Sequence, residues 1–77
     1  MNKDRRDRLE EIKTKLEDLK QEISDINDEE TEAYDNMPDG LKMSERGEAM
    51  SENTESLSSI DGDLDNVISN LDDIISR

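Results

Sequence analysis

The chain has 77 residues, enough for one small domain, and is 43% charged and 29% hydrophobic with a single aromatic residue and a net charge of −13. With neither cysteine nor histidine it has no disulfide framework, no thiolate nucleophile, no Cys-based zinc site and none of the commonest general bases or metal ligands. No apolar run approaches the ~20 residues that span a bilayer, and Met1–Arg8 is charged with no apolar segment after it, so neither a signal peptide nor a membrane span is expected.

The first predicted element is a helix over about residues 3–36. Its apolar residues are Leu9, Ile12, Leu16, Leu19, Ile23 and Ile26, in alternating steps of three and four, the rhythm of a helix packed along a narrow seam. The interior is rich in Leu, Glu, Lys and Arg, and Glu10 with Lys13 and Glu11 with Lys15 stand at helical pair spacings. Ser24–Asp28 is its weakest part, because Ser, Asn and Asp offer the backbone competing hydrogen bonds.

A bend is expected over 37–44, which holds the only proline. Pro38 biases Met37 away from helix, Gly40 can adopt positive φ, and Ser44 is a good N-cap with Glu45 and Glu48 in the turn that follows. Leu41 and Met43 are expected to fold over the end of the pair and cover Ala33, Met37 and Met50. Tyr34 packs under the bend or forms an exposed contact. Arg46 pairs with Asp35, Asp39 or a nearby Glu, or helps hold an anion at the helix start.

The last element is a helix over about 45–75. Leu57, Ile60, Leu64, Val67, Leu71 and Ile74 repeat the same rhythm. If the chain doubles back at the bend, Leu9 meets Ile74, Leu16 meets Val67, and Ile26 meets Leu57, with Glu30 and Asn53 as a polar rung that fixes register. The expected fold is all-α: an antiparallel two-helix hairpin. So short a chain buries little, so a homodimer forming a four-helix bundle is expected. Ile68 and Ile75, which widen the second helix's stripe, are placed at its interface.

Two acidic stretches could suggest chemistry. Asp61–Asp72 resembles an EF-hand loop, with Asp at loop positions 1, 3, 5 and 12. However, Asn66 stands where such a loop needs Gly, and the heptad runs through it unbroken, so a solvated helix face is the plainer reading. Asp28–Glu32 is likewise a charged face, since two helices cannot enclose a carboxylate pair. No cofactor or metal is implied, and an enzyme is the least expected class.

Charge is unevenly placed. Residues 1–20 carry seven basic residues against six acidic, net +1, and residues 21–77 carry seventeen acidic against Lys42, Arg46 and Arg77, net −14. Direct nucleic-acid binding is therefore not expected, and a basic protein is the natural partner.

The runs Ala33-Tyr34-Asp35-Asn36-Met37-Pro38-Asp39-Gly40-Leu41 and Ser44-Glu45-Arg46-Gly47-Glu48-Ala49-Met50 resemble the linker between two amphipathic helices in a family of short acidic proteins of Gram-positive prophages and mobile elements. The resemblance implies such an origin, a bacterial cytoplasmic setting and no particular activity. Three functions follow as expectations. In the first, Glu29, Glu30, Glu32, Asp35, Glu48, Glu52 and Glu55 form an acidic surface that mimics nucleic acid and blocks a basic host protein such as a defence nuclease. The second is a structural or adaptor module, and the third a bundle that sequesters a nucleotide at the bend through Arg46.

Overall fold

The computed structural model describes all 77 residues, and it is helical nearly throughout, with no strand. Helix α1 runs Lys3–Asp35 (33 residues), α2 is a single turn at Asp39–Lys42, and α3 runs Glu45–Ile75 (31 residues). Asn2 opens α1 by accepting a 2.9 Å hydrogen bond from the Arg5 amide, satisfying one of the helix's free donors. The weak Ser24–Asp28 segment is helical too, with Asn27 donating to Ser58 of α3 at 3.2 Å and Asp25 accepting from Gln21 one turn earlier at 3.0 Å.

The connection has two corners with a helical turn between them. The Asn36 and Met37 amides close α1 onto the carbonyls of Glu32 and Tyr34, at 3.0 and 3.1 Å. Pro38 is extended (φ −58°, ψ 145°) and its carbonyl accepts from Leu41 and Lys42, starting α2. The Ser44 hydroxyl donates to the Leu41 carbonyl and accepts from the Gly47 amide, starting α3. Gly40 lies within α2, and no residue has positive φ. The left-handed freedom expected of Gly40 is not used, because a short helix rather than a tight turn crosses between the long ones.

α1 and α3 lie side by side in a rod of 58 × 15 × 13 Å. Their contacts run in opposite chain order: Lys13 reaches Asp72, Lys20 reaches Asp61 and Asp65, Asn27 reaches Ser58, and Glu30 meets Asn53.

The seam differs from the expected one. Both rows of each heptad were expected inside, but the half-buried residues are mainly one row of each, Leu9, Leu16 and Ile23 on α1 and Leu57, Leu64 and Leu71 on α3, with Ile74 the half-buried end of the second row on α3. The second row on α1 (Ile12, Leu19, Ile26) is exposed, as are Ile60 and Val67 on α3. Its place is taken by Lys13, Lys20 and Asn27, which are half-buried, as are Thr54, Asp61 and Ile68 on α3. Lysine stems cover apolar surface while their ammonium groups reach the carboxylates of α3, and this rolls both helices toward the charged side.

Gly47 is the one buried residue. A Cβ there would overlap the Lys42 carbonyl oxygen and stand 2.6 Å from that of Leu41. The second corner thus packs backbone against backbone, which glycine alone permits. The apolar lid expected at this end is largely open: Met43 is 85% exposed and Leu41 51%, Ala33 is exposed, and Met37 and Met50 are half-buried.

Candidate protein-interaction surface

A helix turns about 100° per residue, so the heptad positions assign each side chain to a direction around the rod. Glu32 and Asp35 fall on the outer edge of α1. Glu48, Glu52 and Glu55 fall on the opposite outer edge, that of α3, at successive rises of about 4.5–6 Å. All five are exposed, and none has a cation partner within the chain. The residues singled out as one acidic surface therefore form two parallel rows facing away from each other. Glu30 belongs to neither: it is half-buried in the seam and its Oε2 accepts from Asn53 Nδ2 at 3.2 Å. Glu29 is exposed on a third side.

The lysines that pair between the helices lie on another side of the rod and do not compensate these rows. Lys13 Nζ is 2.9 Å from Asp72 and 3.9 Å from Glu10, and Lys20 Nζ is 3.2 Å from both Asp61 and Asp65. The hydrogen bond to Asp72 raises the Lys13 ammonium above its ordinary value, and those to Asp65 and Asp61 do the same for Lys20. Near the amino terminus, Lys3 pairs with Asp7 at 2.9 Å and is raised by that bond. The half of the rod near the bend has no ion pair between helices.

Asp61–Asp72 lies within unbroken α3. Asp61, Asp65 and Asp72 are spent on the two lysines, and no group of three acidic side chains converges as a metal site.

At the bend, Tyr34 is half-buried with Lys42 Nζ 5.4 Å from its ring centroid, a cation–π arrangement. Arg46 is exposed and pairs with none of the acids expected to hold it. The surface depressions are open and lie along α1, none of them at Arg46. Ile68 and Ile75 are half-buried on the side closed by the lysine–aspartate pairs.

What the sequence pattern missed is the opposite side. Ile12, Leu19, Ile26, Ile60 and Val67 form one exposed apolar face of the helix pair. The signal was present in the heptads, but it shows only once the roll of the helices is known. No helix is long and apolar enough to cross a membrane. Comparisons of the chain with family models, curated proteins and solved structures gave no match.

Proposed function

We propose that the chain is an antiparallel helical hairpin of phage or mobile-element origin that acts in a bacterial host's cytoplasm by binding and blocking a basic, nucleic-acid-binding protein. The observation that carries this reading is the pair of unpaired carboxylate rows on the bend-side half, Glu32 with Asp35 and Glu48 with Glu52 and Glu55. Each presents closely spaced negative charge on a stiff helix, as a nucleic-acid backbone does, and a basic groove gains affinity and encounter rate from such a surface. A defence nuclease is one partner of this chemistry.

The test is a pull-down from a Gram-positive host lysate, washed at low and then high salt. A basic protein should be held at low salt, released at high salt, and not held by a Glu48→Gln, Glu52→Gln, Glu55→Gln variant. Recovery of no basic protein at low salt, or retention unaffected by the triple substitution, would overturn the reading.

A second reading, a structural or adaptor module, is favoured by the exposed apolar face. It predicts salt-tolerant binding through Leu19 and its neighbours. The nucleotide-sequestering alternative has only exposed Arg46 to support it.

A further inference from the structure

We infer that the exposed apolar face is a self-complementary dimer interface, on which a second copy stacks with its α1 antiparallel to the first and Leu19 at the two-fold axis. Three sets of residues share one centre. Ile12 and Ile26 stand seven residues either side of Leu19 on the same line of α1. Ile60 and Val67 are centred between residues 63 and 64 of α3. Lys20 bridges Asp61 and Asp65, which puts that point level with residues 19–20 of α1. One two-fold rotation perpendicular to the rod therefore exchanges Ile12 with Ile26 and Ile60 with Val67 and leaves Leu19 on the axis.

Charge gives the third set and fixes the direction. Arg8, Lys15, Glu22 and Glu29 occupy the adjoining heptad line of α1 and are all exposed. Lys15, Glu22 and Glu29 have no ion pair within the chain, and Arg8 has only an exposed 3.7 Å contact with Asp4. Their signs reverse about the point between residues 18 and 19. Antiparallel stacking of α1 on its copy sets Lys15 against Glu22 and Arg8 against Glu29, the flanking-charge logic of helical bundles. A surface that is its own complement under a two-fold axis is what a second copy of the chain supplies. On α3 the same line holds Ser56, Asp63 and Asn70, so Asp63 meets its own copy near the axis, an unfavourable contact.

This interface faces away from Ile68 and Ile75 and leaves the outer carboxylate rows uncovered. It does not depend on the partner-binding reading, which is decided by the pull-down alone.

The test is disulfide trapping in the full chain, which has no cysteine of its own. Under mild oxidation Leu19→Cys should link to itself. Ile12→Cys alone should not, and Ile12→Cys mixed with Ile26→Cys should form the mixed dimer. Alongside it, sedimentation should show a dimer weakened at least about tenfold by Lys15→Glu, restored by adding Glu22→Lys, and tightened by Asp63→Asn. These are surface changes, and circular dichroism checks that helicity is kept. Leu19→Cys remaining monomeric, Ile12→Cys linking to itself as readily, or the charge swap failing to restore the dimer would each overturn the proposal.

Discussion

The helix pair has one closed face and one open face built from the same heptad rhythm. On the closed face Lys13 and Lys20 lie across the seam, their stems over apolar surface and their ammonium groups on Asp72, Asp61 and Asp65. On the open face Ile12, Leu19, Ile26, Ile60 and Val67 are each 40–54% exposed. The difference teaches that a 3-4 apolar repeat fixes that a helix packs, while the residues flanking the repeat decide how far it rolls. Within one chain the roll satisfies charge at the expense of apolar burial, the trade expected where a second surface completes the core.

Both faces are lost together if the connection between α1 and α3 fails. Gly47→Ala puts a methyl group into the Lys42 and Leu41 carbonyls, an overlap that costs about 1–3 kcal/mol and outweighs the helix-propensity gain of up to about 1 kcal/mol. Gly62→Ala is the same chemical change on α3, where the added Cβ meets nothing within 4 Å, so it should stabilise by about 0.5–1 kcal/mol. Opposite shifts in the thermal midpoint are expected, and a stabilising Gly47→Ala would remove the backbone contact from the account. Next in size is Leu16→Ala, in the half-buried row shared by both faces. About half of a full leucine burial is at stake, near 1 kcal/mol, and denaturant melts of dilute protein should show it. Leu19→Gln, at a residue 51% exposed, should change the same dilute melt by less than about 0.5 kcal/mol. If the two leucines cost the same, the faces are not distinct.

Helical content, the breakpoint at Pro38 and the Ser44 cap were all legible in the sequence, because each rests on local chemistry. Glu30 and Asn53 also meet as the pattern placed them, since a shared mirror point is a property of chain order alone. The roll of the helices was not legible. It turns on whether Lys13 and Lys20 lie across the seam or point into water, and both placements fit one sequence. By propensity alone Gly47 counts against a helix, whereas its missing side chain is what lets the Lys42 carbonyl approach. The candidate surface suffered in the same way. Seven acids close in sequence became two rows, a seam residue and a stray side chain once the helical phase was applied.

The smallest expected effect sharpens the closed face through pH. Lys13 and Lys20 are held above their ordinary 10.5 by the carboxylates they donate to. A lysine raised in the folded state binds its proton more tightly there than in the unfolded chain. Its contribution is therefore complete below the unfolded value and declines as pH rises through the folded one. Stability attributable to these pairs should be level through neutral pH and fall only above about 10.5. Lys3 is raised in the same direction but pairs with Asp7 on its own helix, so it reports on the start of α1 and not on the helix–helix contact. Substituting Met for both Lys13 and Lys20 keeps the apolar stems and removes the charges. In that variant the alkaline loss should shrink to what Lys3 and the remaining lysines supply, and the melt at pH 7 should drop modestly. An unchanged alkaline limb would mean that the ammonium groups do not hold the closed face, and that the stems alone set the roll.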